Sequence, residues 1–259
     1  TPNKCKFGPM KGLLLIPLVL FWACEDKKDD LLPLDCAGVE GGTAFENECG
    51  CVGGSTGFDE DYCYICIDND GTQYETILIG GQIWMKENLK VTHYRNGDEI
   101  PTGYSSTEWT HLNETETGAY AVYGGNESNA DVYGNLFNWY AVDDERGVCP
   151  EDWHVPTDEE YTALTNYLGG WEYAGLRIKD NVNWNGTNES GFTALPGGER
   201  SCCDGGLDYS GMDNQGYFWS STAKDNYKAW ERRLSDYNSL ITREYGDKKY
   251  GFSVRCIRD

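Results

Sequence analysis

Eleven cysteines against three histidines constrain this 259-residue chain more than any other feature of its sequence. Reducing compartments keep thiols free, and cysteine-based metal sites often recruit histidine. The balance therefore points to an oxidising, extracytoplasmic setting in which sulfur crosslinks hold the fold. Charge narrows the partners: 21 lysines and arginines face 43 acids, a net charge of −22. Nucleic acid and anionic membrane surfaces both select basic patches, so neither is an expected partner. Aromatic residues make up 14% of the chain, which argues against disorder, and 32 glycines suggest a turn-rich domain containing β-structure.

The first residues bear on location. Residues 1–9 precede Met10 and are expected to be upstream translated sequence, which leaves Cys5 without a role. In residues 10–23, Lys11 is followed by the unbroken apolar run Leu13 to Ala23. That run suits the h-region of a signal peptide and falls short of the roughly 20 residues a bilayer requires. It ends at Ala23-Cys24, and the polarity then flips into Glu25-Asp26-Lys27-Lys28-Asp29-Asp30. The arrangement resembles a bacterial lipoprotein signal in which Cys24 becomes the acylated N-terminus. The acidic run resembles the surface-export signal of lipoproteins from Bacteroidetes-type bacteria. The implied protein is lipid-anchored in the outer membrane and displayed at the cell surface, on an acidic tether over 24–34. A cleaved secretory peptide with an ordinary Cys24 is the alternative.

Residues 35–66 form a neck rich in cysteine and glycine, with Cys36, Cys49, Cys51, Cys63 and Cys66 among few core-forming side chains. Such a segment buries too little apolar surface to order itself, so disulfides are expected among these five, with one left over. Zinc at Cys63-x-x-Cys66 is the alternative, weakened by the lack of a second pair and of a nearby histidine. Asp68-Asn69-Asp70-Gly71 is expected to be a turn leading into a strand, because the later ligands of a calcium loop are missing.

Beyond the neck, residues 67–259 carry the signals of one domain. Tyr74–Ile79 and Gln82–Met85 read as strands around a Gly80-Gly81 turn. Tyr133–Val142 places Leu136, Trp139 and Tyr140 at helical spacing. Asp158–Leu168 is the strongest expected helix, with Thr157 and Glu160 forming a capping box and Gly169 as its stop. Tyr217–Thr222, Lys228–Leu234 and Tyr250–Ile257 read as late strands. Trp171–Gly216 is expected to be a long irregular stretch, which usually signals function.

Several motifs follow one another in a characteristic order: ILIGGQIWMKENLK from Ile77, YGNLFNWYAV from Tyr133, VCPEDWHVPTDEEYTALTNYLGG from Val148, ESGFTALPGGERS from Glu189, FWSST from Phe218 and GFSVRCIRD from Gly251. Together they resemble the Fibrobacter succinogenes major paralogous domain, common in surface lipoproteins of Bacteroidetes-related bacteria. Trp153–Thr157, Trp219–Thr222 and Val254–Cys256 are also similar to a C-type-lectin-like family. The resemblance implies an α+β fold: short antiparallel sheets, one or two helices and a long loop region, behind a signal peptide and a Cys-rich neck. It further implies a disulfide joining Cys149, just before the capped helix, to Cys256 near the C-terminus.

For catalysis the sequence offers little. None of His93, His111 and His154 shows metal-ligand spacing, His154 is expected to be a buried structural residue, and nucleophile-elbow, P-loop and dinucleotide motifs are lacking. The vicinal pair Cys202-Cys203 is expected to crosslink loops. A cysteine-dependent oxidase related to formylglycine-generating enzymes is the enzymatic alternative. For binding, Trp84, Trp139, Trp153, Trp219 and Trp230 are assigned to the core. Trp171, Tyr173, Trp184 and Tyr209 remain as candidate ligand-binding aromatics in the irregular stretch. Asp180, Asn181, Asn183, Asn188, Glu189, Asp204, Asp208 and Asp213 nearby are oxygen ligands suited to calcium, although the Glu-Pro-Asn triplet of calcium-dependent lectins is missing. No other cofactor is expected. Asn113, Asn126, Asn185 and Asn188 lie in N-x-Ser/Thr sites expected to stay bare in a bacterium. The expected function is non-catalytic recognition or adhesion toward a glycan, a matrix component or an envelope protein. A structural envelope protein without a specific ligand is the second expectation.

Overall fold

A computed structural model describes residues 32–47, 50–55, 65–201 and 208–259. The signal segment, Cys24, Cys49, Cys63 and the Cys202-Cys203 pair lie outside the described residues, as does Asp204.

The described neck is a two-stranded hairpin of β1 (Phe45–Asn47) and β2 (Gly50–Val52). Cys51 falls on β2, and Cys36 is disulfide-bonded. Cys66 forms no disulfide. It lies on β3 (Ile65–Ile67), which pairs with β4 (Gln73–Ile79), and its thiol is free and buried. There it packs as a small apolar residue among Tyr74, Met85 and Val254, and burial pushes the thiol up to about 12. A thiol so protonated is a poor partner for exchange.

A turn at Gly80 and Gly81, both in the left-handed region with φ of 62° and 84°, joins β4 to β5 (Gln82–Met85). Next come α1 (Ser106–Thr115), β6 (Tyr120–Ala121), α2 (Glu127–Tyr133), β7 (Leu136–Phe137) and α3 (Trp139–Val142). The single helix expected over Tyr133–Val142 is thus a helix end, a short strand and one helical turn. Residues 134–142 are buried on every side, so the i, i+3, i+4 spacing carries no facial information there.

β8 (Trp153–His154) precedes α4 (Asp158–Tyr167), and the expected capping box is present. Thr157 Oγ1 accepts from the Glu160 amide at 3.1 Å, and a Glu160 carboxylate oxygen accepts from the Thr157 amide at 2.7 Å. Trp171–Gly216, expected to be irregular, contains α5 (Trp171–Ile178), β9 (Gly197–Glu199) and β10 (Ser210–Met212). The helix is possible because Gly175 lies against the Leu240 carbonyl oxygen, a space any Cβ would fill. Among the described residues five α-helices replace the one or two expected.

The chain closes with β11 (Gln215–Ala223), β12 (Lys228–Ser235), β13 (Ile241–Asp247) and β14 (Ile257–Arg258). β13 has no counterpart in the sequence reading. The strand expected over Tyr250–Ile257 is instead a run of isolated bridges at Gly251, Phe252 and Ser253, ending in β14.

Two five-stranded sheets result, ordered β3-β4-β5-β14-β8 and β10-β9-β11-β12-β13. The first is antiparallel throughout, whereas the second contains one parallel contact, between β9 and β11. The class is mixed α+β. Tyr161, Leu164 and Leu168 of the α4 segment and Ala174 and Ile178 of α5 fill the space between the sheets, against Trp84, Phe218, Leu234, Ile241 and Ile257. Arg255 is fully buried between the sheets and satisfied there, donating to Asn88 Oδ1 at 2.8 Å and to the Met85 carbonyl at 3.0 Å. Cys149 and Cys256 form the expected disulfide, 107 residues apart in sequence, which in the chain-entropy view adds about 4–5 kcal/mol.

Candidate functional site

The four aromatics singled out in the sequence do not converge. Trp184 is only 5% exposed and belongs to the core between the sheets, because its neighbours Phe218 and Leu234 arrive from strands distant in sequence. Tyr209 is half-buried, its ring 5.1 Å from that of Tyr123 and 5.4 Å from the Arg200 guanidinium. Tyr173 is exposed on α5. Trp171 alone, 56% exposed, lines a groove.

The oxygen ligands set aside for calcium are likewise dispersed into local structure. Asp180 accepts the Val182 and Asn183 amides at 2.9 and 2.5 Å, Asn188 bonds Thr193, Glu189 pairs with Arg177 at 3.4 Å, Asp208 bonds Ser106, and Asp213 accepts from the Tyr133 hydroxyl at 2.7 Å. Among the described residues no group of three or more His, Cys, Asp or Glu side chains is placed to hold a metal ion.

His154 is also placed differently from expectation. Its side chain is 36% exposed and held between two carboxylates, with Nδ1 2.5 Å from Asp259 and Nε2 3.0 Å from Glu160. Both ring nitrogens are thereby engaged, by carboxylates that line the adjacent cavity together with Gly81, Gln82, Ile83 and Arg258.

The Trp171 groove, of about 400 Å³, runs between α4 and the edge strand β13. Thr162, Thr165 and Asn166 of α4 form one wall, and Ile241, Thr242, Arg243 and Glu244 of β13 form the other, with Arg232 of β12 below. Gly169 and Gly170, both at φ 92°, turn the chain so that Trp171 begins α5 at the groove's end. Its walls thus combine an aromatic face, an amide, hydroxyls, a guanidinium and a carboxylate. This is a set able to stack on a ring and hydrogen-bond its substituents.

One carboxylate fixes this surface. Asp158, the first residue of α4 and buried, accepts from Arg232 Nη1 at 2.8 Å and from Arg243 Nε and Nη2 at 2.9 and 2.7 Å. Burial alone would raise its carboxyl, but the hydrogen bonds from Arg243 and Arg232 outweigh it and hold the group below the ordinary range. Arg232, only 2% exposed, also donates to the Asp158 carbonyl and to Thr162 Oγ1.

Arg243 carries the groove onto a second surface. Its guanidinium lies 3.4 Å from the centroid of Trp230, which stands edge-to-face with Tyr245 at 5.9 Å. Trp230 is therefore partly exposed on the outer part of the sheet, not in the core to which its motif assigned it. The strand motif around Trp230 carries no hint of this, because the partner face is supplied by β13, whose charged sequence hides it.

A family model described as Fibrobacter succinogenes major domain matches residues 77–258. No curated protein and no solved structure matches the chain.

Proposed function

The chain belongs to the Fibrobacter succinogenes major domain family, and from that premise we propose a non-catalytic recognition module that grips a glycan in the groove between α4 and β13. The observation that carries this reading is the exposed indole of Trp171 beside Asn166, Thr162 and Arg243 in one open groove. A ring held flat against an apolar face, with polar groups at its edge, is how sugars are bound without a metal. The arginine fork is held in place by Asp158, so little side-chain freedom is lost on binding.

The reading includes the site of display. Acylation at Cys24 would tether the domain at the outer membrane, facing outward on the acidic segment that follows. It is supported by the apolar run before Cys24. No helix of the described residues is long and apolar enough to cross a membrane. A C-type-lectin-like ancestry is part of the same proposal, supported by the disulfide that ties the segment before α4 to the last strand.

Binding to an array of immobilised oligosaccharides tests the groove, with loss of signal in Trp171→Ala as the expected result. Binding unchanged by that substitution places the ligand elsewhere, and an array without signal favours a purely structural envelope protein. Intact-mass measurement of the protein from its native membrane tests the anchor. An unmodified Cys24 would remove that part of the reading.

A further inference from the structure

We propose that the ligand of this groove is an acidic oligosaccharide, whose carboxylate or sulfate groups are read by Lys224 and Lys228 on the Trp230–Tyr245 platform. The inference rests on the groove reading and names the class of sugar it takes.

The starting point is how the chain spends its few cations. With a net charge of −22 the chain has few cations to place, and those among the described residues divide between carboxylates, backbone carbonyls and aromatic faces, Lys179 bonding the Ser235 and Asn238 carbonyls and Lys248 lying over Trp139. Lys86 pairs with Glu75, Lys90 with Glu87, Arg146 with Asp98 and Asp144, and Arg177 with Glu189. Lys224 and Lys228 are the two that share one aromatic platform. Their ammonium nitrogens sit 3.5 and 4.9 Å from the centroid of Tyr245, and Lys224 is also 6.0 Å from Trp230. Among the described residues, neither ammonium donates a hydrogen bond to a protein acceptor or lies within ion-pair distance of a carboxylate.

Three acids lie near this platform. Asp225 accepts the Tyr227 and Lys228 amides at Oδ1, at 2.9 Å each, and is close enough to feel the charge of both lysines, though not at ion-pair distance. Asp247 stands opposite Lys228 in the strand register, and Glu244, although opposite Glu231 on the other face of β13 from Tyr245, contributes to the groove's β13 wall. None of them forms an ion pair with either lysine. The aromatic rings hold the two ammonium groups in place without neutralising them, so their N–H donors stay available to an anion.

Arg243 joins the platform to the groove, since it lines the groove while stacking on Trp230. α4 has 10 residues and is about 15 Å long. Trp171 stands past one end of it and the Arg243–Trp230 pair at the other. The site therefore suits an extended chain of several sugar units, with an apolar ring face at one end and negative charge at the other.

The test is a glycan array read with the full-length protein, printed with pairs that share a backbone and differ only in charge. Oligogalacturonate is set against its methyl ester, and a sulfated oligosaccharide against its desulfated form. The acidic member of at least one pair should bind about tenfold tighter than its neutral counterpart, as expected for two cations outside ion pairs acting together. That preference should vanish in ~1 M salt, where the Debye length falls to about 3 Å. Lys224→Gln with Lys228→Gln should weaken the acidic member alone, and the arm that responds separates carboxylate from sulfate. Equal binding of charged and neutral members, both lost in Trp171→Ala, would overturn the acidic assignment and leave the groove reading standing. No binding to any member would overturn both.

Discussion

The two faces of β12 treat buried charge in opposite ways. On one face Arg232 is buried against Asp158 and α4, and every donor direction that the structure uses meets an oxygen. On the other, Glu231 is 4% exposed, one of its carboxylate oxygens finds no partner among the described residues, and Glu199 and Glu244 stand nearby. Burial, reinforced by those two acids, pushes the Glu231 carboxyl up to about 8. One face keeps its charge by supplying a counter-charge from a helix N-terminus, and the other discards its charge by holding a proton. The contrast teaches why the groove is on the first face. A fixed ion pair there leaves Arg243 and the aromatic rings rigid and open to solvent, whereas the second face is closed around a neutral acid.

The largest effect that can break this comparison is Asp158→Ala. It strands Arg232 as an uncompensated buried cation, so urea unfolding should show a loss of about 3–5 kcal/mol. Adding Arg232→Met to that variant should return most of the loss. A loss near zero in the single variant would mean that the pair is not what secures this face.

Second is pH. Glu231 is protonated in the folded chain up to about pH 8 but ionises at its ordinary value of 4.5 when unfolded. Its contribution is therefore complete below the lower value and falls away as pH rises to the upper, at no more than about 1.4 kcal/mol per pH unit. Glu199, also raised by burial, acts in the same direction. Asp158 acts in the opposite one, losing its contribution as acid protonates it below its ordinary 3.8. Glu231→Gln should flatten the decline between weakly acidic and weakly alkaline pH, and thermal unfolding across that window reads it. An unchanged slope would show that Glu231 is ionised in the fold.

Smaller effects sharpen the comparison. Arg243→Lys keeps a charge but loses the fork on Asp158 and the flat contact with Trp230. Because Arg243 is half-exposed, the expected loss is about 1 kcal/mol in chemical unfolding. Trp171→Ala should change stability by no more than about 0.5 kcal/mol while removing binding, which calorimetry and the array read separately. A larger destabilisation would make Trp171 a packing residue.

Local chemistry was legible in the sequence. The Thr157–Glu160 box marked where α4 begins because its hydrogen bonds span only three residues. Gly80-Gly81 marked the β4–β5 turn because both positions need positive φ. What resisted reading shares a physical cause. β13 carries Arg243, Glu244 and Tyr245 on an edge strand, so no apolar alternation announces it. The segment from Asn135 to Val142 is buried on all sides, so no periodicity distinguishes helix from strand. α5 has a glycine at its centre, which propensity counts against a helix until Leu240 is seen pressed against it. Trp184 and Trp230 exchanged roles for the same reason: whether a ring is covered depends on strands far away in sequence.

The family resemblance implied the link between Cys149 and Cys256, and by itself the sequence determined the family, the mixed class and the helix start at Thr157. These rest on short-range hydrogen bonding, backbone stereochemistry and motif order, all written in neighbouring residues. Only the tertiary structure decided that Cys66 stays a thiol, that Trp171 alone among its candidates faces a groove, and that Asp158 binds two arginines from separate strands. Those outcomes depend on which surfaces meet when the two sheets close over α4 and α5, and burial sets both the protonation and the exposure of every group caught between them.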